Sequence, residues 1–415
     1  METYVMIARH LGTISGEKIY AYNKLAYMLS LGWRVMYFSG NREQLPDKLS
    51  GCIHRVYPAV SYAPDCYSKG EVRRTVERIA AEIGDAGDAE CIIESDAVNR
   101  SAWAELVAAR VGARHVAFLL QEKHSYDPET KRFLRFKYDR HELAGINPAS
   151  VNMILGDDSV ERRDDTVITA YCNNVVEDCE DTVTARLSPE ADLVFGSLGR
   201  LDKGCVPAIL QGFKAYAASH PEQRSELVLI GGAMRKKRIR WIRREMRECG
   251  NIRLTVTGFM YPIPRTLIEK IDLFVSTAGS TDVTYRFHRP TIKVHPLTGE
   301  PVGVFGLDDI TEKTLFDVKP EMTIESCIER ALANADRIEY RFDYYNVYYQ
   351  LMDAEFARQL TIAERAPQAE YYDEEKLMNL RTTRIKAHFL HRLIGHLFGA
   401  NALEGAVNLL KRLGG

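Results

Sequence analysis

Nothing in this chain marks it for a bilayer interior, for nucleic acid or for a structural metal. No window approaches the roughly 18 consecutive apolar residues needed to cross a membrane, so a spanning helix is not expected. Met1 is followed almost at once by the strand-like run Tyr4-Val-Met-Ile-Ala8, which leaves no basic region and apolar stretch of a signal peptide. Basic excess is lacking too: 55 Lys and Arg against 57 Asp and Glu give a net charge of −2, whereas a nucleic-acid binder usually carries a strong positive surplus. Eight cysteines are scattered without a Cys-x-x-Cys pair or a histidine spacing that completes a zinc site, so reduced thiols in a cytoplasmic protein, and no metal, are expected. Neither GxGxxG nor GxxxxGK[ST] occurs, which excludes nicotinamide and P-loop readings and leaves no cofactor implied.

What remains is an ordinary globular composition, 46% hydrophobic and 27% charged over 415 residues. That length suits two domains, each with its own core. Apolar β-branched runs alternate with helical periodicity in both halves, the pattern of parallel sheets covered by helices. The first half predicts strands at 4–8, 34–38, 91–94, 115–120 and 151–155; the second predicts them at 193–195, 226–230, 252–256, 273–276 and 291–294. A first helix over 18–31 stops at Gly32, a normal C-terminal glycine. The chain reads as helical from about Met322 onward. The expected fold is α/β, with two doubly wound Rossmann-like domains facing each other across a cleft and a helical tail. Its segments are 1–182, 183–370 and 371–415, the last packing back on the first domain. Ligands of such folds bind at the carboxyl ends of the strands, at the crevice where strand order reverses.

Leu193-Val-Phe-Gly-Ser-Leu-Gly-Arg-Leu-Asp-Lys-Gly204 carries the chemistry. An apolar strand ends in small residues that admit a ligand to the backbone, and Arg200 and Lys203 follow at the mouth of the next helix, an arrangement suited to a diphosphate. The later run Asp272-Leu-Phe-Val-Ser-Thr-Ala-Gly-Ser-Thr281 ends a neighbouring strand in hydroxylated and small residues. Together the two loops suggest a nucleotide-sugar site. Gly231 and Gly232, at the end of another strand, would let the base or ribose approach, as an alternative to a plain turn.

With these residues in view, the chain resembles glycosyltransferases of the GT-B architecture, nearest in its motifs to the family 4 and family 28 type of bacterial polysaccharide enzymes. Gly199-Arg-Leu-Asp-Lys-Gly204 resembles their GR-Lxx-KG signature, in which arginine and lysine clamp the donor diphosphate. Asn173-Asn-Val-Val-Glu-Asp178 resembles the interdomain segment before it, and Gly16 the glycine loop of the N-terminal, acceptor-side domain. The run 272–292 is similar to the donor loop and helix of the lipid-linked N-acetylglucosaminyl transferases of peptidoglycan synthesis, with Gly279, Ser280 and Thr281 implied to face the diphosphate. Tyr285 stands where that family has its ribose-binding glutamate, and Asp282, one turn earlier, is the available substitute. A phenol accepts hydrogen bonds less readily than a carboxylate.

A general base for an acceptor hydroxyl must be a carboxylate or imidazole within hydrogen-bond reach. Glu122 and His124, in the loop after the 115–120 strand, are the candidates, with Asp96 behind them; all three also fit a solvated or structural role. The basic run Arg235–Arg244 reads as the solvated face of a helix, or as a patch for anionic headgroups. In the tail, Phe389, Leu390, Leu393, Ile394 and Leu397 share one side, expected to pack on the first domain or else to lie in a membrane interface. Tyr344, Tyr348 and Met352 read as packing rather than sugar-stacking residues. The function expected is transfer of a sugar from a nucleotide-diphosphate donor to a glycan or lipid-linked acceptor in bacterial surface polysaccharide synthesis, in the cytoplasm or at the inner face of the cell membrane. A noncatalytic scaffold or accessory subunit of the same fold, and a sugar-nucleotide epimerase, are the alternatives.

Overall fold

The computed structural model describes residues 2–8, 16–42, 45–84, 90–120, 126–157, 163–310, 317–340, 344–367, 370–381 and 388–413. The chain forms two compact units, Met1–Cys172 with Met352–Gly414, and Asn173–Leu351. The first boundary thus falls at 172 rather than 182, and the chain rejoins the first unit at 352 rather than 371. Both differences have packing causes. Val176–Glu177 pairs with Ile263–Pro264 in the second unit. Phe356 packs edge-on against Tyr20 at 5.8 Å, and Gln359 accepts from the Tyr20 hydroxyl and the Lys24 ammonium at 2.9 and 3.1 Å, inside the first unit.

The first unit is built on six parallel strands: β1 (Thr3–Ile7), β2 (Arg34–Ser39), β3 (Ile53–Val56), β4 (Cys91–Ser95), β5 (Arg114–Leu119) and β6 (Leu143–Gly145). Their order is β3-β2-β1-β4-β5-β6, and β1 is flanked by β2 and β4. Every residue of β1 and β4 is buried, as a sheet covered on both faces requires. Helices α1 (Gly16–Ser30), α2 (Lys69–Ile83), α3 (Val98–Val111), α4 (Pro128–Asp139) and α5 (Pro148–Leu155) make the connections.

The residues 151–155, expected as a strand, are the end of α5. Local capping decides this. Asn147 and Ser150 form a reciprocal capping box with Pro148 in the first turn, and Gly156 closes the helix at φ 68°; these signals override a five-residue apolar run that periodicity cannot classify. The true neighbour strands are β3, whose His54 and Arg55 hide any alternation, and the three-residue β6.

The second unit repeats the scheme. Beside the short pair β7 (Val176–Glu177) and β11 (Ile263–Pro264), its sheet comprises β8 (Leu193–Leu198), β9 (Ser225–Ile230), β10 (Ile252–Val256), β12 (Leu273–Ser276), β13 (Thr291–Val294) and β14 (Pro301–Val304). The order is β10-β9-β8-β12-β13-β14, parallel except for β14. Order reverses between β8 and β12, which are hydrogen-bonded neighbours. Helices α6 (Val206–Ser219), α7 (Lys236–Met246), α8 (Arg265–Glu269), α9 (Gly279–Arg286) and α10 (Ile324–Ala333) complete it.

The remaining helices are α11 (Tyr344–Arg365), α12 (Glu374–Met378) and α13 (His388–Leu413). On α11, Tyr348 and Met352 are buried. Helix α13 is interrupted at Gly399 (φ 79°, ψ −178°), where Glu71 accepts from the Ala400 amide at 2.8 Å and caps the second half. The side of α13 carrying Phe389, Leu390, Leu393 and Leu397, expected to pack on the first domain or else to lie in a membrane interface, does not pack inward but faces solvent. What seats the helix is its opposite side. A Cβ on Gly395 would come within 2.1 Å of the Cys66 carbonyl, and His388 bonds the buried Asp65 at 2.9 Å. Among the described residues no helix is long and apolar enough to cross a membrane.

Candidate functional site

The carboxyl ends of β8, β9 and β12 converge at the point where strand order reverses. The Leu198 amide donates to Ser276 Oγ at 2.9 Å, tying β8 to β12. Beyond it the chain opens at Gly199 (φ 142°) and Gly231 (φ 156°), both outside the range that side-chain-bearing residues occupy comfortably. A Cβ on Gly231 would stand 1.9 Å from the Gly199 carbonyl oxygen, so only glycine allows the two strand ends to meet. The Gly199 amide donates to Ile230 O at 3.0 Å and the Leu201 amide to Gly232 O at 2.9 Å, so the β8 loop continues the ladder past the strand.

That ladder presents the two cations. Arg200 is exposed and Lys203 half-buried. The place that a Gly199 Cβ would fill lies 3.4 Å from Ser280 Oγ and 3.7 Å from Lys203 Nζ, so the ammonium and a hydroxyl from the β12–α9 loop converge on one bare stretch of backbone. Burial lowers the Lys203 pKa, and Arg200 lowers it further. Among the described residues neither cation has a carboxylate partner. Surface lysines and arginines ordinarily end in weak ion pairs, and two without such partners at one glycine loop are chemically suited to a multiply charged anion.

The loop is braced from α7. Arg238 donates from Nε to Leu201 O at 2.9 Å and from Nη2 to Lys203 O at 3.4 Å, with its guanidinium 4.4 Å from the Trp241 ring. Asp202 accepts from the Met234 amide at 2.7 Å. Sequence reasoning passed over both braces, since Arg238 sits in a basic run that reads as solvated. The expected solvated face is present around it: Arg240, Arg243 and Arg244 are exposed.

The β12–α9 loop brings a further set of predicted residues to the same strand ends. Ala278 adopts φ 52°, ψ −147°, a region costly for a residue with a Cβ, by about 1–3 kcal/mol. Helix α9 starts at Gly279 without a side-chain cap. A Cβ on Gly279 would be 2.0 Å from Asn173 Oδ1, so this glycine admits the Asn173 side chain from the segment before β7. Thr281 is buried and its hydroxyl returns to Ala278 O at 2.6 Å. Asp282 is half-buried; burial raises its carboxyl pKa, against the charges of Arg286 and Lys293.

Tyr285 is the correction at this site. It was placed among the donor residues as the stand-in for a glutamate. Its ring is instead part of the core, stacked on Phe305 at 5.0 Å, and its hydroxyl donates to the Glu339 carbonyl. An aromatic body on an amphipathic helix follows the core, and a phenol so placed finds a backbone acceptor. Asp282 is therefore the sole acid that α9 offers, and the buried Lys293 on β13 faces it electrostatically.

In the first unit Gly16 begins α1, with room for its Cβ only 3.4 Å from Cys172. Glu122 and His124 lie outside the described residues. Asp96, after β4, is buried and bonded to Arg100; burial pushes its carboxyl up to about 6, Arg100 opposes this and Glu17 adds to it. A second group has the outline of a nucleophile, base and acid: Ser95 Oγ lies 2.9 Å from His115 Nε2, and His115 Nδ1 lies 2.6 Å from Glu105 Oε2. All three are sealed from solvent, and Lys137 joins them at 2.8 Å. A group that no substrate can reach is structural.

Asp65, Cys66 and His388 bring potential ligand atoms within 4.8 Å of one another, a cluster that sequence spacing did not reveal. Burial pushes the Cys66 thiol up to about 12, and His388, Arg392 and Arg381 all act on the Asp65 carboxylate. The arrangement works as a hydrogen-bonded contact holding α13.

No protein-family model matches the chain, and no curated protein does. Solved structures do. They include a glycosyltransferase from Rickettsia africae (12% identity, 88% of this chain and 96% of that chain, TM-score 0.54). Anabaena HepE in complex with UDP and glucose matches at 12% identity over 88% of this chain and 99% of that chain, TM-score 0.56. Sucrose-phosphate synthase from Thermosynechococcus elongatus matches at 15% identity over 88% and 97%, TM-score 0.52. At such identities the likeness shows the fold, which is GT-B: two Rossmann-like sheets with a helical C-terminal region.

Proposed function

We propose that this GT-B protein is a glycosyltransferase that takes a sugar from a nucleoside-diphosphate donor. The observation that carries the reading is the unpaired pair Arg200 and Lys203 over the bare Gly199 backbone, beside the uncapped start of α9. As the bond from the sugar's anomeric carbon to the β-phosphate oxygen breaks, negative charge grows on the diphosphate, and fixed cations stabilise that growth more than they stabilise the ground state. The anomeric carbon bonds to an acceptor hydroxyl oxygen, whose proton must pass to a base. Glu122 and His124 are the proposed bases, and Asp282 the proposed partner of the ribose hydroxyls.

HepE, which shares the fold and whose crystal structure is in complex with UDP and glucose, supports UDP as the first nucleotide to try. The acceptor proposed is a glycan or a lipid-linked sugar of a bacterial surface polysaccharide, met at the inner face of the cell membrane. Calorimetric titration with UDP and GDP tests the site, and slow release of free sugar from their sugar nucleotides without acceptor tests the chemistry. Diphosphate binding lost in the Arg200→Ala, Lys203→Ala double variant supports the assignment; equal binding by a normally folded double variant overturns it. A second reading, a noncatalytic scaffold or accessory subunit, is favoured by Tyr285, which stands where the family has its glutamate and turns into the core, leaving Asp282 alone to take the ribose. It predicts no sugar release from any nucleotide sugar. An epimerase would instead convert the sugar while it stays on its nucleotide.

A further inference from the structure

The first half of α13, His388 to Phe398, is seated with its apolar stripe outward. Phe389 is 76% exposed, Leu397 64% and Phe398 70%, with Leu390 and Leu393 exposed beside them. A helix covering a core turns such a stripe inward. Here the inward positions are taken by Gly395 against the Cys66 carbonyl, by His388 on Asp65 and by Ile394 against the core. The stripe cannot rotate inward without breaking these contacts. A contiguous exposed patch of large apolar side chains marks an interaction surface.

The charges around the stripe say what covers it. Arg392 on the same helix and Arg381 just before it are exposed. Phe398 borders a cavity of about 210 Å³ on whose wall Arg78 also lies. From 381 to 403 the sequence has four Arg and Lys (Arg381, Arg384, Lys386, Arg392) and no acid. The acids nearby are engaged. Asp65 lies buried beneath the helix, and Glu71 accepts from the Ala400 amide. Glu404 accepts from Asn41 and Tyr62, while Glu374 and Glu375 pair with Arg73 and Lys69. An apolar stripe edged by the exposed Arg392 and Arg381, whose charges meet, among the described residues, only the buried Asp65 from beneath the helix, is complementary to the boundary between acyl chains and anionic headgroups. A second copy of the chain fits worse, because a twofold contact would bring like cations together and desolvate them without acidic partners.

We propose that this half of α13 docks the protein on an anionic lipid surface, with Phe389, Leu393 and Leu397 entering the interface and Arg392 and Arg381 meeting the headgroups. The helix lies in the interface and does not cross it.

Flotation of the full chain with vesicles of phosphatidylglycerol and phosphatidylcholine, and with phosphatidylcholine alone, tests this without any nucleotide, so the result is independent of the sugar-transfer reading. Binding is expected to the anionic vesicles, to weaken as salt rises, and to fall about tenfold or more in Leu393→Ser and Leu397→Ser. Melting should be unchanged, because both side chains are exposed. Arg392→Glu, which leaves the apolar stripe intact, should lose the preference for anionic over neutral vesicles. The proposal is overturned by absence of flotation with anionic vesicles, by variants that bind like the parent, or by a parent dimer that Leu393→Ser dissociates.

Discussion

Arg200 and Lys203 differ in how much their charges are worth. Arg200 is exposed and screened by solvent, while Lys203 is half-buried and its ammonium already destabilised by burial and by Arg200. A charge-assisted hydrogen bond contributes about 1.5–3 kcal/mol. Lys203→Ala is expected at the upper end and Arg200→Ala at the lower, read as nucleoside-diphosphate affinity by titration. Tyr285→Phe behaves in the opposite way. Its hydroxyl is given to Glu339 in the core, so the variant should cost about 1 kcal/mol in denaturant unfolding and leave diphosphate affinity unchanged. A loss of affinity there would return Tyr285 to the site.

At the scale of elements, the cation loop depends on α7. Arg238→Ala removes both donors to the carbonyls of Leu201 and Lys203 without touching a ligand. Diphosphate affinity should fall about tenfold, the worth of roughly 1.4 kcal/mol of lost positioning, with faster amide exchange over 199–204. Unchanged exchange in that loop would sink the brace. The elements also show where the sequence misleads. Periodicity reads 151–155 as a strand, and only the capping box at Asn147 and the left-handed Gly156 make it a helix. Likewise the stripe on α13 is plain in the sequence, but its direction follows from Gly395 and His388 on the other side.

At the scale of the whole molecule, each unit has its own core and the residues proposed for the donor site all belong to the second. Residues 173–351 expressed alone should therefore fold and bind UDP with an affinity comparable to the full chain; an unfolded product overturns this. The first unit carries an acid sensitivity. Burial lowers the His115 pKa to about 4, aided by Lys137 and opposed by Glu105. The Glu105 carboxyl is held well below its usual range by Lys137 and His115, although burial alone would raise it. As pH falls below the ordinary histidine pKa, about 6.5, the unfolded chain takes up a proton that folded His115 refuses, so stability is lost as pH drops from there toward 4, by up to about 3 kcal/mol. Thermal melting across that window should show the loss, and His115→Gln should reduce it.

Sequence by itself determined the class of fold and the cation loop. Buried parallel strands are continuous β-branched runs, and a glycine loop followed by Arg200 and Lys203 is a local pattern whose chemistry travels with its residues. Edge strands such as β3 were illegible because polar residues interrupt them, and the braces at Arg238 and Asp202 were illegible because a side chain's partner across a fold leaves no trace in spacing. Tertiary structure alone decided that Tyr285 serves the core, that Ser95, His115 and Glu105 are sealed, and that the apolar side of α13 faces outward. Each of these is a question of direction, and direction is set by what a neighbouring element offers: a carbonyl at Glu339, a lid of packed helix, a glycine-sized gap over Cys66.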